Sequence, residues 1–157
     1  MNETLKNTLK SALIENDSHS VIIQNNRNLL IKHFPLTIEK LENMEQTHKA
    51  FLDQFLYRFL KMQDSLGTRL IPGLYNLLEA DDNPRPFLDI LRRLEKLGVI
   101  TGEQDWQFFR ELRNNLAHEY PDSKEQTINS LNLLFEEMPR FIALYHGLQQ
   151  QTRQRLE

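Results

Sequence analysis

The chain of 157 residues contains no cysteine. Disulfide bonds, thiolate metal sites and cysteine nucleophiles are therefore excluded, and the lack of cysteine is compatible with a reducing compartment. Only five glycines and six prolines occur, as is typical of a helical protein with short connections. Because Gly73, Gly98 and Gly102 each stand alone, the sequence has no glycine-rich loop that could cradle a phosphate.

Long hydrophobic runs and an excess of positive charge are also absent. The N-terminal stretch MNETLKNTLKSALIEND lacks the apolar core of a signal peptide. No window approaches the roughly 18–20 apolar residues that a membrane span needs. We therefore expect a cytoplasmic protein with no membrane partner. The formal charge of −3 provides no overall attraction to nucleic acid, so RNA binding would need a local or subunit-shared positive surface.

Helical periodicity is what the sequence does contain. Apolar residues make up 39% of the chain and charged residues 26%, as expected for one globular domain with a core of its own. Apolar positions recur every three or four residues, and neither an alternating strand nor an Asn-Gly or Asp-Gly hairpin turn is present. We predict an all-α, up-and-down helical bundle of about five to seven helices, with short turns between antiparallel neighbours.

Helix boundaries in the first half follow from capping and breaking residues. Two short helices are expected before Pro35, the second beginning at Ser18 or Ser20. Thr37 is a suitable N-cap for a long helix that runs to about Leu66. The apolar stripe of this helix has the spacing of a face that packs inside a bundle.

Glycine and proline predict the breaks in the middle of the chain. We expect Gly67 to end the long helix, and Pro72 to interrupt or start a shorter one in TRLIPGLYNLLEA. Pro84 and Pro86 are suited to begin the helix in PFLDILRRLEKLG, which should stop at Gly98.

Capping boxes predict the starts of the last two helices. Thr101 with Gln104 and Ser123 with Gln126 have the required three-residue separation. The first of these helices carries the apolar face Trp106-Phe109-Leu112-Leu116, and Pro121 forces its end.

The domain organisation follows from these helices. We expect a single domain in which residues 1–36 form an N-terminal helical extension packed on a bundle of residues 37–150. Pro139 should kink the last helix, and residues 151–157 form a polar tail that we expect to fray.

Residues 110–122, RELRNNLAHEYPD, concentrate the side chains that could perform chemistry. Arg113, Asn114, Asn115, His118 and Tyr120 lie within eight positions. Paired asparagines are poor helix-interior residues, and such local violations are often functional. An imidazole, which titrates near neutral pH, can take a proton from a ribose 2′-hydroxyl, and a guanidinium can stabilise a phosphate. Together they could cleave RNA without a metal ion, by attack of the 2′-oxygen on phosphorus.

Helical geometry constrains this hypothesis. Arg113 and His118 are five residues apart, an offset of about 140° on a straight helix, so they do not share a face. They could converge if the last turn loosens before Pro121, or if two copies of the chain face each other. An ordinary helix end is the alternative interpretation, because a histidine at a helix C-terminus interacts favourably with the helix dipole.

Other candidate residues have weaker patterns. Arg58 and Asp64 could line a groove, but we expect them to be solvent-exposed. The pair Arg92–Arg93 with Lys96 favours a solvated helix face over an RNA-binding patch. The remaining histidines form neither a His-Glu-x-x-His nor a Glu-x-x-His motif, so we predict no metal site and no cofactor; they are His19, His33, His48 and His146.

The stretch RNNLAHEY resembles the Arg-x4-His-x-Tyr motif of the HEPN superfamily, specifically the HepT-like toxins of minimal nucleotidyltransferase/HEPN toxin–antitoxin systems. Arg113, His118 and Tyr120 occupy the motif positions, and Asn114 matches an asparagine often found after the arginine. The preceding DWQFFREL is similar to the aromatic approach to that motif. The motif covers eight residues, and the helical organisation of residues 37–148 is compatible with a HEPN-like bundle.

The resemblance implies a homodimer in which the motifs of two chains meet in one cleft. It further implies a metal-independent endoribonuclease that leaves a 2′,3′-cyclic phosphate, and a nucleotidyltransferase antitoxin that neutralises this toxin. His118 would be the general base, Arg113 the phosphate brace, Asn114 an orienting residue and Tyr120 a site of AMP modification.

Two other hypotheses stay open. The chain could be a non-catalytic HEPN module that binds a nucleotidyltransferase partner or its nucleotide substrate. It could also be a purely structural helical adaptor, for which substitutions of Arg113 and His118 would have no effect. The sequence does not specify which RNA would be cut.

Overall fold

A computed structural model describes residues 3–80, 83–118 and 123–157, and within them the chain is helical with no β-strand. This confirms the predicted all-α bundle. A 3₁₀ turn (Ile31–His33) follows the first helix, and a π-helical turn (Leu66–Leu70) follows the third. The α-helices are α1 (Glu3–Leu30), α2 (Ile38–Glu42), α3 (Gln46–Ser65), α4 (Ile71–Glu79), α5 (Phe87–Lys96), α6 (Glu103–Ala117) and α7 (Lys124–Leu156).

The N-terminal segment is one helix of 28 residues, so the two short helices predicted before Pro35 were wrong. The polar residues that indicated a break are instead packing contacts of a continuous helix. Asn16 is fully buried, and its amide donates to the Ala12 carbonyl at 2.8 Å and to Ser65 Oγ at 3.0 Å. Ser20 is also buried, and its hydroxyl accepts a hydrogen bond from Gln24 at 2.9 Å.

The predicted long helix is divided. Thr37 does cap its start, because its hydroxyl accepts the Lys40 backbone N–H at 3.1 Å. The helix then ends at Glu42 and restarts at Gln46, with Met44 buried in the connection. Gly67 does not end the helix as predicted, since the π-helical turn carries the chain on into α4. Pro72 is accommodated in the first turn of α4.

The next two helices begin and end near the predicted positions. Pro86 is the N-cap of α5, and Gly98 follows it with the positive φ of 74° that favours glycine. The predicted Thr101–Gln104 capping box does not form, because the N-cap of α6 is Gly102. The Glu103 backbone N–H, at the start of α6, donates to the Glu95 carboxylate of α5 at 3.2 Å. The cap is therefore supplied by a neighbouring helix.

The last helix is 33 residues long and continues through Pro139 to Leu156. Ser123 caps it by accepting the Gln126 backbone N–H at 3.4 Å, as predicted. The fraying expected for residues 151–157 was wrong, because they are helical to Leu156 and Thr152 is fully buried.

Aromatic side chains of α3, α6 and α7 fill the centre of the bundle. Phe59 and Phe109 both contact the ring of Phe141, with centroids 5.0 Å apart in each pair. All three rings are fully buried. This packing fixes α6 against α3 and thereby positions the polar face of α6. Over the described residues, no helix is both long and apolar enough to cross a membrane.

Candidate functional site

One stripe of α6 carries most of the candidate site. Trp106, Arg110, Arg113 and Asn114 are spaced by four, three and one residues, which places them along one side of a helix. All four line a groove of about 310 Å³ between α6 and α3. Trp106 is buried at the base of this stripe, whereas Arg110 and Asn114 are exposed. The cations are therefore presented at the rim of the groove.

The end of α3 and the π-helical turn form the opposite wall. Gln63 and Asp64 line the groove from α3, and Phe87 lines it from the first turn of α5. Gly67 allows α6 to approach, because a Cβ atom at this position would lie 3.1 Å from the Trp106 ring. A larger residue at 67 would push on this ring, so the glycine keeps the two walls close.

Arg113 forms a salt bridge with Asp64 across the groove. Its Nη2 donates to Asp64 Oδ2 at 3.1 Å, and its Nε lies 3.0 Å from Oδ1. The Nε–H is not aligned for a hydrogen bond, so the pair has one well-formed hydrogen bond and one close ionic contact. The two side chains are 31% and 48% exposed, which limits the net stabilisation to about 1 kcal/mol or less. The main effect of this salt bridge is therefore to fix the position of the Arg113 guanidinium, rather than to stabilise the fold.

The salt bridge leaves part of the guanidinium available. Asp64 faces the side of Arg113 that carries Nε and Nη2. Nη1 makes only a long 3.4 Å contact with the Asn114 side-chain oxygen. A guanidinium has five N–H donors, so Arg113 can hold Asp64 and still offer hydrogen bonds to a phosphate oxygen. Arg110 adds a second cation, and no described carboxylate lies within ion-pair distance of it.

His118 lies at the C-terminal end of the same helix. The helix ends at Ala117, and His118 is its C-cap, with an extended backbone (φ −92°, ψ 127°). Its side chain is exposed and is not among the described residues that line the groove. The helix thus ends before His118, as the loosened-turn hypothesis requires, but one chain brings only Arg113 and Asn114 to the groove.

Tyr120, predicted as the site of AMP modification, lies outside the described residues. Pro121, which was predicted to end the helix, lies outside them as well.

Two groove residues were missed or misjudged from the sequence. Asp64 was considered as a groove residue but was expected to be solvent-exposed, and Gln63 was not considered. Asp64 and Arg113 are 49 residues apart, so their pairing results from the packing of α6 on α3. No local pattern distinguishes Asp64 from the other surface carboxylates. Arg58, the other residue considered for a groove, instead donates to His19 Nδ1 at 3.1 Å.

The remaining histidines do not form a second site. His19 is almost buried and lies 3.6 Å from the Glu15 carboxylate. His33 and His48 contact each other through their rings, with centroids 4.6 Å apart. Over residues 3–80, 83–118 and 123–157, no three histidine, aspartate or glutamate side chains group as ligands for a metal ion.

Comparisons of this chain with protein-family models, with curated proteins and with solved structures find no match. The HEPN resemblance therefore depends on the motif RNNLAHEY, on the similar stretch DWQFFREL before it and on the compatible helical organisation, and what it implies is a proposal.

Proposed function

We propose that this protein is a metal-independent endoribonuclease of the HEPN type that acts through Arg113 and His118. The observation that carries the proposal is the position of Arg113, whose guanidinium is held at the rim of a groove with N–H donors to spare. His118 follows on the same helix, exposed and just beyond its last turn. These two groups are sufficient for RNA cleavage by internal transesterification.

The proposed reaction uses the ribose of the substrate as nucleophile. His118 removes the proton from the 2′-hydroxyl, and the 2′-oxygen forms a bond to the adjacent phosphorus. The bond from phosphorus to the 5′-oxygen breaks, and that oxygen takes up a proton from water. Arg113 stabilises the negative charge that develops on the phosphoryl oxygens, and Asn114 orients the phosphate. The products are a 2′,3′-cyclic phosphate and a 5′-hydroxyl end.

A homodimer completes the proposed site. Within one chain, the groove contains Arg113 but not His118. In a two-fold dimer, the same surface of both chains forms the interface. Two α6 ends meeting at their His118 residues would place two imidazoles and two guanidinium groups in one cleft. Shared cations would also compensate for the net charge of −3 on each chain.

The proposed partner is a nucleotidyltransferase antitoxin. Tyr120 lies two residues after His118 in the sequence, so an AMP group on its hydroxyl would introduce a phosphate and a bulky nucleotide next to the general base. Such a modification would block the RNA cleft by charge repulsion and steric exclusion.

A nuclease assay with purified protein tests this proposal. We expect cleavage of single-stranded RNA in excess EDTA, with 2′,3′-cyclic phosphate ends. Replacement of the general base in His118→Ala should reduce the rate by at least about 100-fold, and Arg113→Ala should do so by a similar factor. Circular dichroism of both variants should be unchanged, because both side chains are outside the core. Cleavage that requires Mg²⁺, or that persists in His118→Ala, would contradict the proposal.

A non-catalytic HEPN module that binds a nucleotidyltransferase or its nucleotide substrate is the second candidate. The observation that favours it is the salt bridge itself, because Asp64 compensates the charge that Arg113 would present to RNA. This alternative predicts stable co-purification with a nucleotidyltransferase and no RNA cleavage by the isolated chain. The first proposal predicts cleavage that the nucleotidyltransferase suppresses.

A further inference from the structure

The groove between α3 and α6 contains a nearly buried polar side chain, Gln63, that has no hydrogen-bond partner among the described residues. Gln63 is 4% exposed and lines the groove, yet no described residue hydrogen-bonds its side-chain amide. The amide nitrogens of two other buried side chains do have partners, since Asn16 donates to Ser65 and Asn26 donates to Gln54. The indole N–H of Trp106, which lines the same groove, is buried and also has no hydrogen-bond partner among the described residues. A desolvated donor without a hydrogen bond costs free energy, so the position of these two groups in one cavity indicates a site that meets a ligand.

The groups around Gln63 are complementary to a nucleobase in hydrogen bonding and in aromatic surface. A primary amide presents a donor and an acceptor side by side, the pattern with which amide side chains pair with the edge of a base. Phe87 and Trp106 supply apolar aromatic surface to the same groove, with ring centroids 5.6 Å apart. Unpaired bases in RNA are recognised by this combination of aromatic contact and edge hydrogen bonds. The groove volume of about 310 Å³ is within the range of small-ligand sites.

Charge at the rim complements the phosphate that accompanies such a base. Arg113 and Arg110 border the groove that Gln63 lines, and both retain N–H donors. A nucleotide could therefore place its base against Gln63 and its phosphate against the arginines. An apolar ligand would leave these cations and the amide unused, and a double-stranded RNA would keep its base edges paired.

We propose that this groove is a base-recognition subsite for single-stranded RNA, in which Gln63 selects the base beside the phosphate that Arg113 holds. The inference rests on the proposed ribonuclease function, and it adds a residue that determines sequence preference. Asp64 and Asn114 also line the groove, and in this proposal they position Arg113 and the phosphate rather than the base.

Intrinsic fluorescence provides a direct test, because Trp106 in the groove is the only tryptophan of the chain. The wild-type protein is titrated in EDTA with the four ribonucleoside monophosphates and, separately, with ribose 5-phosphate. We expect a saturable change in fluorescence, with the preferred base binding about tenfold more tightly than the weakest base and than ribose 5-phosphate. Equal affinities for all five compounds, or no response to any of them, would overturn the inference.

A matched pair of variants assigns the preference to Gln63. Gln63→Met keeps the length of the side chain and removes both hydrogen-bonding groups, so the preference among bases should disappear while ribose 5-phosphate binds as before. Gln104→Met is the control, because Gln104 is exposed in the first turn of α6 and does not line the groove. A preference that survives Gln63→Met would also overturn the inference. If this variant does not fold, the wild-type titration alone decides.

The titrations separate this inference from the ribonuclease proposal, because they require no cleavage. Base discrimination in a protein that does not cleave RNA would refute the ribonuclease and retain the subsite. RNA cleavage by a protein that binds all five compounds equally would retain the ribonuclease and refute the subsite.

Discussion

Arg113 is positioned by a carboxylate from another helix. Long arginine side chains lose rotamer freedom when they are fixed, and an isolated guanidinium at a helix surface would sample many orientations. The contacts of Asp64 with Nε and Nη2 restrict it to one of them. In the proposed mechanism, Asp64 therefore acts as a positioning residue. Its negative charge also compensates part of the positive charge with which Arg113 would attract RNA.

Asp64→Asn tests this role. We expect the rate of RNA cleavage at saturating substrate to fall by about 10- to 100-fold, because small displacements of a phosphate brace are costly. The unfolding free energy should change by about 1 kcal/mol or less, as for other exposed ion pairs. Asp105→Asn is a matched control, since Asp105 forms a similarly exposed salt bridge with Arg140 at 3.3 Å. An unchanged cleavage rate in Asp64→Asn would show that Asp64 does not position Arg113 for the reaction, and a higher rate would show that the salt bridge masks Arg113.

His19 provides a second test at the residue scale, here of stability. Burial is the main cause that lowers its pKa below 6.5, and the charge of Arg58 lowers it further; Lys61 acts in the same direction and Glu15 opposes it. Arginine can only donate, so His19 Nδ1 accepts the Arg58 hydrogen bond and must be unprotonated. Because its pKa is lower in the folded state, His19 stabilises the protein fully above pH 6.5, and this stability is lost as the pH falls through the folded-state value.

Thermal unfolding between pH 7.5 and 5.5 measures this effect. We expect the wild-type protein to lose stability over this range, with a His19 contribution of at most about 1.4 kcal/mol per pH unit. His19→Gln should reduce the pH dependence, whereas His146→Gln, at an exposed position, should retain it. Identical slopes in the wild type and His19→Gln would contradict the assignment.

The sequence predicted only part of the site. Arg113, Asn114 and His118 were found because they lie in one contiguous motif with an unusual composition. Gln63 was not considered, and the pairing of Asp64 with Arg113 was not predicted, because both roles arise from helix packing over long separations in sequence. The chemical type of a residue can be read from the sequence, whereas the cavity in which it lies is a property of the tertiary structure.

At the scale of elements, Pro139 illustrates how α7 is joined to the rest of the bundle. A proline inside a helix has no N–H, so the carbonyl four residues earlier, that of Phe135, loses its helical partner. The Arg27 Nε–H of α1 donates to this carbonyl at 2.9 Å, and its guanidinium lies 4.4 Å from the centre of the Phe135 ring. The carbonyl that lacks a partner within α7 therefore accepts a hydrogen bond that connects α7 to α1.

A double-mutant cycle tests this connection. Arg27→Ala should lower the unfolding free energy by about 1–3 kcal/mol, because it leaves the Phe135 carbonyl without a donor. In the background of Pro139→Ala the helix supplies its own N–H, and the effect of Arg27→Ala should be smaller by about 1 kcal/mol. Denaturant unfolding of the four proteins gives the coupling energy. If the two substitutions change the unfolding free energy additively, the hydrogen bond from Arg27 does not replace the one that Pro139 removes from the Phe135 carbonyl.

The starts and ends of helices were predicted correctly where neighbouring residues in the sequence determine them. The caps at Thr37 and Ser123 and the stop at Gly98 depend on neighbouring residues, and all three were found. The continuity of α1 and the π-helical turn at residues 66–70 were not. Buried partners such as Ser65 satisfy the polar residues of α1, and the packing of Trp106 against Gly67 holds the turn in place. Tertiary contacts of this kind override local propensity.

At the scale of the whole molecule, the arrangement of the helices is the reason for proposing a site that two subunits share. The buried aromatic contacts of α6 with α3 and α7 fix the helix in each chain. Arg113 then faces the groove, whereas His118 lies exposed beyond the helix end. A second copy of the same chain is the simplest means of bringing an imidazole and a guanidinium to one phosphate. The proposed reaction is therefore attack by the ribose 2′-oxygen in a cleft that contains both groups.

The most direct measurement uses one oligoribonucleotide with a mapped cleavage position and a second that is identical except for a 2′-deoxyribose at that position. Both are incubated in EDTA with the wild-type protein and with His118→Ala. We predict that only the wild-type protein with the all-ribose strand gives cleavage at that position, because the nucleophile and its base are then both present. Cleavage of the deoxyribose position by the wild-type protein, or of the all-ribose strand by His118→Ala at the wild-type rate, would contradict the account.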